Sequence, residues 1–225
     1  MNSFGQIFRV SIFGESHGSF IGITIDGCPP GIEIKEQDFI KELNRRKSRH
    51  PGSTSRAEQD KPEFISGVYN RFTTGAPLTI LFKNTDANPD DYKDIKDTPR
   101  PGHADYSNWI KYSGFNDYRG GGHSSGRLTA GLVVAGVIAK QILEPVLIEA
   151  ELTRAGGSTD IDKSISKAIE ENDSIGGLIT CRINNVPGGL GEPFFNSAES
   201  MISHAMFSIP GIKAIEFGDG IQSAT

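Results

Sequence analysis

The sequence predicts an α+β fold in which antiparallel sheets share a layer of helices, and three observations predict it. Alternating apolar runs such as 20–26 stand beside runs of helical period such as 35–46, so both element types are present. At 225 residues the chain is one large domain or two small ones, long enough to bury about 70–75% of its unfolded surface without staples. Finally, the chain echoes itself. GITIDGCPPGI at 22–32, a helix and the strand EFISGV match GLITCRINNVPGGL at 177–190, a helix and KAIEFGDG. A strand, Pro-Gly turn, helix and strand occurring twice point to a duplicated strand-helix-strand unit.

The elements follow in order. Residues 7–13 and 20–26 alternate as strands around the short polar loop 14–18. CPPG at 28–31 breaks the second strand, and 35–46 reads as a helix with Phe39, Ile40 and Leu43 on one face. Strands are expected over 64–68 and 77–82, then a loop too rich in Asp and Asn to be core. The most apolar helix runs from about 126 to 143. Beyond it come a strand at 146–153, a helix at 161–171, a strand at 177–183, a helix at 199–207 and a closing strand at 214–217.

Composition narrows the function. The formal net charge of −5 argues against a general nucleic-acid binder, whose footprint is normally basic, so any anionic ligand must be held by a local cationic cluster. The N-terminus lacks a basic segment followed by an apolar one, and no run is long and apolar enough to span a bilayer, which reads as cytoplasmic with no membrane partner. Cys28 and Cys181 lack metal-ligand spacing and read as reduced core thiols, with no metal site.

Four stretches carry candidate chemistry, each with a plainer alternative. Arg45, Arg46, Lys47, Arg49 and Arg56 place five fixed cations within twelve residues. They read either as a solvated loop at a helix C-terminus or as a clamp for phosphate and carboxylates, for which the arginine fork is suited. His17 in GESHG is either an exposed turn residue or an acid or base at a pocket mouth. His103, beside Asp105 and Arg100, belongs to a satisfied polar turn or is a proton donor whose pKa a nearby anion raises. Gly120-Gly121-Gly122, feeding Ser124 and Ser125 at a helix start, is an anion cradle or simply a way to begin a helix.

Taken together the motifs resemble the chorismate synthase family over nearly the whole chain. They are FGESHG at 13–18, IDGCPPGI at 25–32, Arg45-Arg46, SGV at 66–68, TTGAPL at 73–78, NTD at 84–86, DY at 91–92, RPGHADY at 100–106, KY at 111–112, DYRGGGHSSGR at 117–127 and VPGGLGEP at 186–193. The resemblance implies a β-α-β sandwich, a homotetramer, and the 1,4-elimination of phosphate from 5-enolpyruvylshikimate 3-phosphate to give chorismate in the shikimate pathway. It implies reduced FMN as cofactor, lending an electron transiently, with NADPH as its reductant in some members.

By similarity His17 is the acid at the leaving phosphate and His103 the partner of the reduced flavin's charge. His123, Ser124 and Ser125 match a flavin-contacting triplet, with Arg127 close behind, although many relatives carry arginine where His123 stands. Arg46 matches an arginine of the substrate and cofactor pocket, with Arg45, Arg49 and Arg56 as co-workers. Against the family pattern the chain 1–225 is expected to be a single domain lacking a C-terminal portion with further flavin contacts and a catalytic aspartate. A non-catalytic phosphate- or flavin-binding module on the same scaffold is the alternative.

Overall fold

A computed structural model describes residues 2–47, 56–87 and 92–224. Its main sheet is antiparallel, with strand order β1-β2-β3-β7-β4. These strands are β1 (Ser3–Phe4), β2 (Arg9–Gly14), β3 (Phe20–Asp26), β4 (Glu63–Ser66) and β7 (Leu78–Lys83), while β5 (Val68–Tyr69) and β6 (Phe72–Thr73) form a small separate ladder. Pairing of Ile23 with Ile80 and of Ile25 with Leu78 sets the register. With side chains alternating, Ile21, Ile23, Ile25, Leu78, Ile80 and Phe82 fall on one face, and all are buried.

Helices α1 (Glu36–Arg46) and α3 (Thr129–Ile142) cover that face. Phe39 and Leu43, four apart on α1, are 0% and 1% exposed, and Phe39 meets Phe64 of β4 edge-on at 5.3 Å. Burying each such side chain contributes about 1.5–3 kcal/mol. The expectation that Ile40 joins them fails. It is 44% exposed, because one helical step turns it about 100° from Phe39. On α3, Ala130, Val134 and Ile138 face the sheet. A Cβ on Gly131 would lie 3.2 Å from the Ile23 Cβ, so glycine lets α3 approach β3 closely.

A longer two-stranded ladder pairs β8 (Leu147–Ala155) with β9 (Gly177–Asn184), and α4 (Ile161–Glu170) packs against β8. Helix α1 touches this ladder as well as the main sheet, since Arg45 donates from Nη2 to the Ala150 carbonyl of β8 at 3.2 Å. The α+β class with helices against antiparallel sheets is therefore as expected. The internal echo is incomplete: 214–217 takes no strand conformation after α5 (Ala198–Met206), and no described strand forms a ladder with it. One further expectation is corrected: Cys28 is buried in the core but Cys181, on β9, is exposed. The turn around His103 leads into a short helix α2 (Asp105–Lys111), an element not expected from the sequence.

Candidate active site

The β2–β3 turn, the end of α1, the segment after Arg56 and the glycine run converge on one cavity of about 600 Å³. The turn is pinned from outside. Ser16 N–H donates to the Gly122 carbonyl at 3.0 Å, and Ser16 and His17 are 1% and 8% exposed. His17 is thus a buried cavity residue, not an exposed turn histidine. Its ring meets Tyr92 edge-on at 4.7 Å.

The glycine run is shaped around that ring. Gly120, Gly121 and Gly122 all have positive φ, which glycine adopts without the cost a Cβ brings. A Cβ on Gly120 would stand 2.2 Å from His17 Cε1, and one on Gly122 would stand 2.1 Å from the Asp117 carbonyl oxygen. Close packing on His17 and on the loop's own backbone accounts for these two glycines. Nor does a long helix start at the serines. Ser125 caps a 3-10 turn, Gly126–Leu128, with its side chain accepting from Arg127 N–H, and α3 begins at Thr129.

The cationic cluster divides sharply. Arg46, Lys47, Arg56 and Arg127 line the cavity, and two buried acids, Glu58 and Asp60, organise them. Asp60 accepts from Arg46 Nη2 at 2.9 Å through Oδ2, and from Arg127 Nη1 through Oδ1. Glu58 accepts from Arg56 at 2.6 Å and from the Thr85 N–H and hydroxyl at 2.9 Å. Arg56 also donates to the Ser16 hydroxyl at 2.7 Å and to its carbonyl at 2.9 Å, so it braces the His17 turn.

Electrostatics follow from this packing. Burial pushes the Glu58 carboxyl up, but hydrogen bonds from Thr85 and Arg56 and the Arg127 charge outweigh it, leaving its pKa below the usual carboxylate range. Burial also drives the Arg127 guanidinium down against the pull of Asp60. Four cations against two carboxylates leave the wall positive, as an anionic ligand requires.

Other expected site residues lie elsewhere. Arg45 is exposed and occupied by Glu42 and the Ala150 carbonyl, and it does not line the cavity. Arg49 lies outside the described residues. Ser125 lines the cavity, whereas His123 and Ser124 line a neighbouring cleft of about 320 Å³ that Ser125 shares. His123 Nδ1 is 2.8 Å from the Gly14 carbonyl. His103 is exposed, on a turn where Arg100 grips Asp105 through Nε and Nη2 at 2.8 and 3.0 Å. That grip holds the Asp105 carboxyl below its usual range, against the opposing effect of burial. Arg100 lies over the Tyr92 ring at 5.8 Å, so the His103 turn reaches His17 through Arg100 and Tyr92.

Glu58, Asp60 and Ser16 were not anticipated as site residues. For the two acids the one signal is that AEQD sets them directly after a cationic stretch that otherwise has none, while Ser16 stands beside His17 in GESHG.

Comparison with known proteins identifies the family. A family model described as chorismate synthase matches residues 8–225. The chorismate synthase of Chitinophaga pinensis is 53% identical over 225 residues, covering 100% of this chain and 68% of that protein. That of Pyrococcus abyssi is 42% identical over 246 residues, covering 98% of this chain and 69% of the relative. A crystal structure of chorismate synthase shares the fold, with a TM-score of 0.76 at 24% identity over 97% of this chain and 70% of that one. The family model over residues 8–225 and relatives such as the 53% identical protein of Chitinophaga pinensis place this chain in the chorismate synthase family.

Proposed function

We propose that the basic cavity is where this chain performs its family's reaction, the 1,4-elimination of phosphate from 5-enolpyruvylshikimate 3-phosphate to give chorismate. Membership makes the chain a lyase of aromatic amino acid biosynthesis. The observation that carries the placement is the excess of fixed positive charge around buried His17, in a cavity of about 600 Å³, a volume usual for small-molecule sites.

The residues fit an anionic substrate and an anionic reduced flavin. Among the described residues Arg46 Nε is buried without a hydrogen-bond partner, a donor whose burial costs free energy until an acceptor arrives. Reduced FMN is the proposed cofactor, which when bound would supply an electron transiently, with NADPH as a candidate reductant. His123, Ser124, Ser125 and Arg127 are proposed on its side of the site.

The chain's own groups do the rest. His17, held by Tyr92 and by close packing on Gly120, gives a proton or its positive charge to the departing phosphate oxygen. Arg46 binds and orients the anion through charge-assisted hydrogen bonds. Arg56 fixes the Ser16 backbone, and with it the position of His17. His103 is the proposed proton carrier beside the flavin's charge. Residues 1–225 are proposed to act as one domain, in a cytoplasmic homotetramer.

Titration of the protein with FMN, with and without 5-enolpyruvylshikimate 3-phosphate, tests the cofactor through flavin fluorescence. Binding that tightens with substrate is expected, and absence of binding in both series refutes it.

A further inference from the structure

On two of the cavity's arginines every side-chain nitrogen is already engaged. Arg127, with a side chain 4% exposed, gives Nε to Asn84 Oδ1 at 3.1 Å, Nη1 to Asp60, and Nη2 to the Lys83 carbonyl at 3.4 Å. Arg56 is spent on Glu58 and Ser16. Arg46 differs: among the described residues only its Nη2 is engaged, by Asp60, and its buried Nε meets no hydrogen-bond partner. Asp60 is the joint between the two kinds. Its side chain is 0% exposed, and its backbone sits at φ 52, a conformation that costs a non-glycine residue energy and persists only where its surroundings hold it.

We propose that Asp60 is a positioning residue for the family's reaction, anchored to the end of β7 through Arg127 and aiming Arg46 at the anionic ligand. Arg127 is then a post and Arg46 an arm. The inference rests on the reading of the cavity as the substrate site, and it adds a division of labour among chemically identical side chains. A carboxylate at this point has two effects. It neutralises one of two adjacent guanidinium charges, and it fixes the fork of Arg46 so that fewer rotamers are lost when the ligand binds.

The test is a cycle of Arg46→Ala, Asp60→Asn and the double variant, assayed for kcat and for KM toward 5-enolpyruvylshikimate 3-phosphate under reduced flavin, with melting temperature as fold control. Asp60→Asn is expected to raise KM roughly tenfold with kcat little changed, and to change KM less than about twofold once Arg46 is alanine. Effects on KM that multiply in the double variant, or an unchanged KM in Asp60→Asn beside a raised KM in Arg46→Ala, overturn the positioning role and leave the cavity reading standing. An unchanged KM in Arg46→Ala overturns both. Should Asp60→Asn fail to fold, Arg127→Lys replaces it. Lysine keeps the charge but cannot serve Asn84, Asp60 and the Lys83 carbonyl together, so the same KM rise, again absent in the Arg46→Ala background, is expected.

Discussion

Replacing Gly120 by alanine should separate the packing of His17 from the stability of the loop. The added Cβ would fall 2.2 Å from His17 Cε1, 2.3 Å from Nδ1 and 3.0 Å from Ser16 Oγ. Ordinary contact begins near 3.4 Å, so the imidazole must retreat by roughly 1 Å or the loop must open. Misplacing a catalytic group by about that much costs on the order of 10²-fold in rate. The backbone at φ 57 adds about 1–2 kcal/mol of strain for any residue with a Cβ. At about 2–4 °C per kcal/mol for a chain of this size, melting should fall by roughly 2–8 °C. Gly75→Ala is the control: it introduces comparable left-handed strain at φ 86, but its Cβ meets only Pro30 at 3.7 Å. The assay is phosphate release under reduced flavin, alongside thermal melting. Gly120→Ala should lose about 10²-fold in turnover, while Gly75→Ala loses stability with turnover intact. Equal turnover in the two variants would show that the Gly120 contact does not position His17.

Two further expectations follow. Glu58, Asp105 and Asp117 all have folded pKa values below their ordinary ones, for Asp117 because Arg119 outweighs the effect of burial. Such groups bind fewer protons folded than unfolded, so their stabilisation is complete above the unfolded values of about 4 and is lost as pH falls through the lower folded values. Melting temperature measured against pH should therefore drop below about pH 4, less steeply in Glu58→Gln; an identical acid slope in that variant would remove Glu58 from the account. His103→Ala should alter the absorbance of bound reduced flavin and slow turnover. An unchanged spectrum in His103→Ala would move the flavin away from the Arg100 turn.

Residue type and spacing carried much of this site before any coordinates. His17, Arg46, Arg56, Ser125 and Arg127 come together because glycine turns and a helix end, each visible as punctuation in the sequence, bring their loops to one wall. The fate of each arginine was not legible. Arg45 and Arg46 are neighbours in sequence, yet one helical step sends Arg45 to β8 and Arg46 to Asp60. The roles of Asp60 and Glu58 were not legible because acids beside a cationic stretch read as a solvated loop until their partners are known, and Arg127 is 67 residues from Asp60. Helix α2 hid behind Pro101 and Gly102, although Asp105 in its first turn and Lys111 in its last fit the helix dipole. The strand expected at 214–217 shows the opposite limit: alternation supplies the pattern, but a strand also requires a neighbour's ladder.

The most direct measurement is anaerobic single-turnover release of phosphate from 5-enolpyruvylshikimate 3-phosphate by the protein with reduced FMN, comparing wild type with His17→Ala at matched thermal stability. The account predicts release by wild type and a loss of roughly 10²–10⁴-fold in the variant. Phosphate released at the same rate by both proteins would contradict the assignment of the reaction to this cavity.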